Sequence, residues 1–356
     1  MYDFMEYCLR SYYRSTGWNE ENQYSNLCMW SRALLDFYTP RGLSLYFSKL
    51  PTPQFKPSYT MSALPSLHGS IGYLYTSQPL DIGTSGTVDF QDMVDRFRIV
   101  HPSPSPDTPT KHYLLYGRMF LPGARLEAMY VRRMSPHLQC LVTAVNNPRS
   151  ANAQISMQLQ YDVGKWCSEC SYTTDDGLLG LRALYNFGPP SNYGQWSLGT
   201  EVYYGIVDKS GGLSTGLRYR THPTSASPIT VTYTLNPIVG HMSSAYAAQV
   251  SDELALCSKF DFSFYSYESD LALGLEWRTK KKGTAVEREN NVITVTPEKT
   301  EKLEGLIKLR LGFASGLALM WEGRFKNALF SLGLTADLSN RTSPIRTIGL
   351  EVQYFS

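Results

Sequence analysis

Residues 330–338 read FSLGLTADL. Phe330, Leu332, Leu334, Ala336 and Leu338 fall on one parity, and Ser331, Gly333, Thr335 and Asp337 on the other. A helix repeats every 3.6 residues and cannot produce this parity, whereas a strand sends successive side chains to opposite faces. The segment is read as a strand with one apolar face and one face of small polar residues.

The same pattern recurs outward from this stretch. Ile307, Leu309, Leu311 and Phe313 alternate with Lys308, Arg310 and Gly312. Leu271, Leu273, Leu275 and Trp277 alternate with Ala272, Gly274 and Glu276, and Ile155, Met157, Leu159 and Tyr161 with Ser156, Gln158 and Gln160. Turn clusters such as Asp175-Asp176-Gly177 and Ser210-Gly211-Gly212 separate the runs. This punctuation predicts an up-and-down antiparallel meander of about nineteen strands from residue 42 to 356. Three stretches fall outside it: an N-terminal segment 1–41, and long loops at 78–111 and 280–303. What remains divides into units that suit membrane strands of about 9–11 residues with short turns.

The polar face decides where the apolar face points. In a soluble sheet it would be rich in Lys and Glu; here it carries Gly, Ser, Thr and Gln with scattered charges of both signs, such as Arg218, Lys259, Asp261 and Glu322. That composition fits a lumen. The apolar face ends in rings at strand termini, among them Tyr161, Tyr204, Trp277, Phe325 and Tyr354, as the girdles of a membrane barrel do. An open sheet edge in hydrocarbon would leave unpaired backbone groups, so the sheet must close. The predicted fold is all-β: a closed transmembrane β-barrel of about nineteen mostly antiparallel strands. The spacing of Tyr2, Met5, Leu9 and Tyr12 predicts a short amphipathic helix in the N-terminal segment, at the mouth or in the lumen.

Composition agrees. Of 356 residues, 18% are charged against about 25% in an ordinary globular domain, and 13% are aromatic, including 25 tyrosines. A net charge of +2 gives no footprint for nucleic acid. No run of 18 apolar residues offers a transmembrane helix, and the opening MYDFMEYCLRSYY resembles neither a secretory leader nor an Arg-rich presequence.

Chemistry has no candidate residues. Cys167 and Cys170 form a CxxC, but within a strand they point to opposite faces. The six histidines are scattered, and no hydrolase, nucleotide or zinc-protease motif occurs. The expectation is a non-enzyme without cofactor or metal.

Three blocks carry a family resemblance: MYDFMEYCLRSYY, the segment TPRGLSLYFSKLPTPQFKPSYTMSALPSLHGSIGYLYTS, and the closing TIGLEVQYF. Through essentially the whole chain the sequence resembles the fungal mitochondrial distribution and morphology barrel, an outer-membrane protein related in fold to the nineteen-stranded voltage-dependent anion channel and translocase pore. The resemblance implies two roles in the mitochondrial outer membrane. One is anchor subunit of the endoplasmic reticulum to mitochondria encounter structure, whose tethering subunits support lipid exchange and mitochondrial morphology. The other is subunit of the sorting and assembly machinery, aiding assembly of the translocase pore barrel. Implied partners are the subunits of both complexes, translocase components during assembly, and membrane lipids. A voltage-dependent anion or metabolite channel of the same architecture is the alternative, although inward charges of the two signs nearly balance where an anion pore calls for net positive charge.

The resemblance also marks residues. Tyr73 and Tyr75 in GSIGYLYTS match a tyrosine pair associated with docking to the assembly machinery. Thr347, Gly349, Val352 and Tyr354 match the insertion signal in the last strand of mitochondrial barrels; a last strand with a glycine in its ladder would show the same pattern. Phe260, Phe262 and Phe264 share one parity and suit either lipid contact or a groove for a tethering subunit. If the signal strand enters from the intermembrane space, the loops 78–111 and 280–303 face that side.

Overall fold

The computed structural model describes residues 4–80, 82–88, 90, 93, 112–146, 148, 153–191, 194–222, 227–289, 292–314, 316–337 and 344–356. Among them the chain opens with helix α1 (Phe4–Thr16), a 3-10 turn at Tyr24–Asn26 and helix α2 (Met29–Leu35). Strands follow in chain order: β1 Gly42–Ser48, β2 Phe55–Ser62, β3 His68–Thr76, β4 Tyr113–Leu121, β5 Arg125–Arg133, β6 Leu138–Asn146, β7 Ala153–Asp162, β8 Trp166–Thr173, β9 Leu178–Ser191 and β10 Gly194–Gly205. The series continues with β11 Ser210–Arg220, β12 Ile229–Asn236, β13 His241–Gln249, β14 Leu254–Ser263, β15 Ser269–Glu289, β16 Val292–Gly312, β17 Gly316–Phe325, β18 Ala328–Ala336 and β19 Ile345–Phe355.

Each strand pairs antiparallel with the next, and the sheet closes where β1 meets β19 in parallel. An odd strand number forces that parallel seam, which runs from Gly42 opposite Gly349 to Ser48 opposite Phe355. The result is a closed nineteen-strand barrel with no free edge. Parity assigns the two faces as expected: on β17, Leu317, Leu319 and Trp321 turn outward, while Ala318, Met320 and Glu322 are buried on the lumen side. Outward positions along the wall strands, leaving aside the hairpin beyond Thr279, are mostly apolar, aromatic or small, with Arg132, Asn146 and Arg346 as polar exceptions. Among the described residues no helix is long and apolar enough to cross a membrane.

The structure departs from the sequence reading in two places. The stretch 280–303, expected as a loop, extends β15 and β16 as one hairpin paired out to Glu289 opposite Val292. The sequence of this stretch, with Lys280, Lys281 and Lys282 in succession, lacks the apolar parity that marks a wall strand, so alternation could not announce it as one. The turn placed at Ser210–Gly212 lies just upstream, at residues 206–209, and Ser210 already opens β11.

Of the expected loop 78–111, residues 81, 89, 91, 92 and 94–111 lie outside the described residues. Leu80, Val88, Phe90 and Met93 are buried with α1 in one apolar cluster that also takes in Leu74, Leu114, Val131 and Phe355. The core of the molecule therefore sits inside the barrel, at the rim where β19 ends.

Candidate functional site

The lumen is occupied by the chain's own N-terminal segment. α1 is amphipathic: Phe4, Met5, Cys8 and Tyr12 are buried on the face packed into the core. Its first ring meets the last strand, with Phe4 and Phe355 centroids 5.1 Å apart. At the far end of α1 the buried Trp18 lies beneath the Arg133 guanidinium of β5, 5.6 Å from the ring centre. α1 thus spans the mouth from β19 to β5 at the C-terminal rim.

From there the chain follows the inner wall. The Tyr24 amide donates to Glu169 of β8 at 2.8 Å, and the Tyr24 hydroxyl pairs with Ser214 of β11 at 2.9 Å. Arg220 pairs with Glu21 at 2.6 Å. α2 packs Trp30, Leu34 and Leu35 on Ala247, Ala255 and Cys257 of β13 and β14. Lys308 donates to the Ala33 carbonyl and Arg310 to that of Leu35, so two wall cations satisfy carbonyls at the C-terminal end of α2.

Glycines on the lumen parity make this approach possible. A Cβ on Gly199 would overlap the Tyr24 ring, and one on Gly349 would run into the Pro40 backbone. Gly216 beneath Leu27 and Gly274 beneath Leu35 play the same part. Sequence reasoning placed such glycines in a polar lumen face and Gly349 in the insertion signal, without a contact for any of them. Their clustering on one parity of β10, β11 and β15 was the available signal for a close-packed segment. α2 itself was missed, because seven residues of MWSRALL are too short to show a helical period.

Two further groups of lumen charges are paired along the wall. Arg182 of β9 donates to Glu201 of β10 at 2.6 Å and stands 3.9 Å from Glu169 of β8. Glu276, fully buried on β15, pairs with Lys308 at 3.3 Å and Arg278 at 3.0 Å. Cys167 is buried on the lumen side and Cys170 exposed outside, on opposite faces of β8. Among the described residues no group of His, Cys, Asp and Glu could hold a metal ion.

On the exterior, Tyr73 and Tyr75 share the outward face of β3. Tyr73 is 50% exposed and stacks on Phe55 of β2 with centroids 6.0 Å apart, while Tyr75 meets Tyr113 of β4 at 6.1 Å. Arg132 of β5 stands opposite Tyr113 in the ladder. Four rings and one guanidinium therefore face outward side by side, two to five strands from the β1–β19 seam. The sequence reading named the tyrosine pair but missed Phe55, Tyr113 and Arg132, which only the register brings alongside.

The family described as Mitochondrial distribution and morphology protein 10 matches residues 1–304 and 295–356. Proteins of that name from Postia placenta and Laccaria bicolor are each 39% identical, and the one from Phaeosphaeria nodorum 40%, with all of each chain covered. The chain belongs to the mitochondrial distribution and morphology protein 10 family. The alignment with the Postia protein spans 448 positions against the 356 residues here, so that family member carries insertions this chain lacks.

Two more marked sets take their places in this family member. Phe260, Phe262 and Phe264 lie on the outward face at the end of β14, with Phe260 and Phe262 stacked at 6.4 Å and Phe262 and Phe264 edge-on at 5.2 Å. In β19, Thr347 and Gly349 face the lumen, where the Thr347 hydroxyl pairs with Thr335 at 2.5 Å. Val352 and Tyr354 face outward. The four residues matching the insertion signal are split between the faces, polar and small inside, apolar outside.

Proposed function

We propose that this chain is a mitochondrial outer-membrane barrel that works as anchor and adaptor. In this reading it is the membrane subunit of the tethering complex between endoplasmic reticulum and mitochondria, supporting lipid exchange and mitochondrial morphology. It is also a subunit of the sorting and assembly machinery that aids assembly of the translocase pore barrel. The observation that carries the proposal is the division of labour between the two faces. The lumen is packed with α1, α2 and the segment around Tyr24, which leaves little room for a wide pore. The exterior of β2–β5 instead presents the stacked Phe55, Tyr73, Tyr75 and Tyr113 beside Arg132.

Tyrosine is a favoured anchor at interfaces, with an apolar body and a hydroxyl to pair. An outward Arg costs about 2–4 kcal/mol at the bilayer midplane and about 0–1 near the interface, so a position close to the rim, as at Arg132, is tolerated and available to a partner. The patch is accordingly the docking surface for the assembly machinery, and the Phe260–Phe264 run at β14 is a second exterior surface, for a tethering subunit.

Affinity purification from solubilised outer membrane tests the first assignment. The double variant Tyr73→Ala, Tyr75→Ala is expected to insert at normal yield and to lose most of its co-purifying assembly machinery; wild-type recovery would remove the assignment. Planar-bilayer recording tests the adaptor reading against the channel: small, weakly selective currents are expected, and large anion-selective, voltage-gated steps would reverse the conclusion.

A further inference from the structure

Where the N-terminal segment leaves α1, it does not seal the lumen completely. A cavity of about 650 Å³ remains at the C-terminal rim, bounded on one side by Asn19, Glu21 and Asn22 and on the other by the ends of β9, β10 and β11. Arg218 and Arg220 both line it. Arg220 is neutralised by Glu21 at 2.6 Å. Arg218 is not matched in the same way: it is 3% exposed, one terminal nitrogen donates to the Glu21 carbonyl at 3.2 Å, and its Nε is buried without a hydrogen-bond partner. On the same wall the Asp162 carboxylate is taken up by the Asn22 side chain and the Gly164 amide.

A guanidinium withdrawn from water needs an anion or a full set of acceptors, because the desolvation cost is otherwise several kcal/mol. The N-terminal segment supplies one neutral carbonyl, that of Glu21, and the Arg218 side chain borders a cavity also edged by the amides of Asn19 and Gln195, the Asn186 amide being spent on Asn22 and Gly164. We propose that this cavity binds a phosphate group, held by Arg218 through charge and by the surrounding amides through hydrogen bonds. Guanidinium donors match phosphate oxygens in pairs, and the volume admits a phosphate ester rather than a bare halide alone. Because Asn19 and Glu21 belong to the N-terminal segment, an occupied site also fastens that segment to β11. The phosphate can come from a soluble phosphate or from the headgroup of an anionic lipid reaching over the rim.

The test uses the full chain reconstituted in nanodiscs. Pyrophosphate titrated by calorimetry into phosphatidylcholine nanodiscs probes the soluble source. Native mass spectrometry of protein in nanodiscs containing phosphatidic acid probes the lipid source. Saturable one-to-one binding in either arm is expected, weakened at least tenfold by Arg218→Gln and by Asn19→Asp. Asn19→Asp keeps the acceptor that caps the Glu21 amide and places a negative charge at the cavity, so it reads anion binding even where Arg218→Gln does not fold. Arg182→Gln, in the separate group with Glu169 and Glu201, is expected to bind as wild type. Binding in the first arm assigns a soluble ligand and binding only in the second a lipid. Absence of binding in both, or equal binding by wild type and Asn19→Asp, overturns the proposal.

Discussion

Tyr24 lies over Gly199, so close that any side chain on the glycine would occupy the space of the ring. The contact joins a residue of the N-terminal segment to the middle of β10, and it shows that the barrel wall is shaped for its contents. With Leu27 over Gly216 and Pro40 over Gly349, it makes the segment part of the folded lumen rather than a tail within it.

Gly199→Val therefore separates wall from contents. Valine suits a strand, so the barrel is expected to form and to keep the wild-type β-sheet signal in circular dichroism. Overpacking costs about 1–3 kcal/mol, which is expected to show as roughly tenfold or greater loss of amide protection confined to residues 19–36. Protection unchanged there would mean that Tyr24 does not rest on β10.

The ion pair of Arg220 and Glu21 is largely shielded, with side chains 16% and 12% exposed. Removing either partner strands the other charge, so Glu21→Gln and Arg220→Gln are each expected to loosen the segment by about 1–3 kcal/mol. The double variant is expected to be less damaged than the sum of the two. Strict additivity in the same exchange measurement would show that the pair contributes nothing.

Gly349 and Tyr354 belong to one sequence pattern but do different work in the structure. Gly349→Ala collides with Pro40 and is expected to disturb the lumen segment while the chain still inserts. Tyr354→Asp removes the last apolar residue of the pattern and is expected to lower the yield of inserted barrel. Import assays with carbonate extraction distinguish them, and failure of Gly349→Ala at the insertion step would assign the glycine to recognition instead.

Arg132 offers a test of the proposed docking surface independent of the tyrosines. Arg132→Leu removes an outward charge and is expected to leave the barrel as stable as before or slightly more so, by up to about 1 kcal/mol. Its association with the assembly machinery is expected to fall. An outward leucine that binds normally would show that the guanidinium faces lipid headgroups only.

Glu20, on the segment just after α1, is held above the ordinary carboxylate range by burial, opposed by Arg10 at 3.4 Å. A carboxyl with a raised folded-state pKa binds its proton more readily when docked than when released. Docking is thus strongest in acid and weakens as pH rises through and above the usual Glu range near 4.5. Emission from Trp18, buried two residues away, is expected to report looser packing at pH 7 than at pH 4.5, and Glu20→Gln to flatten the difference. A pH-independent Trp18 signal in the wild type would remove Glu20 as the cause.

The barrel was legible because its rule is local. Parity in stretches such as Phe330–Ala336 follows from the pleat alone, and in a closed sheet every strand repeats it, so strand number, two-faced wall and parallel seam all follow from counting. The hairpin at 280–303 escaped that count because its residues, Lys280, Lys281 and Lys282 among them, carry no apolar parity. The contents of the lumen escaped it for a deeper reason. Gly199, Ser214, Glu169 and Arg220 look like any small or polar lumen positions until tertiary structure lays Glu21 and Tyr24 across them from some 145–200 residues away in the chain. Likewise Tyr75, Tyr113 and Arg132 become neighbours only through the register of β3, β4 and β5. Alternation determined by itself that there is a wall and which way it faces; packing between distant segments decided what fills it and which outer residues stand together.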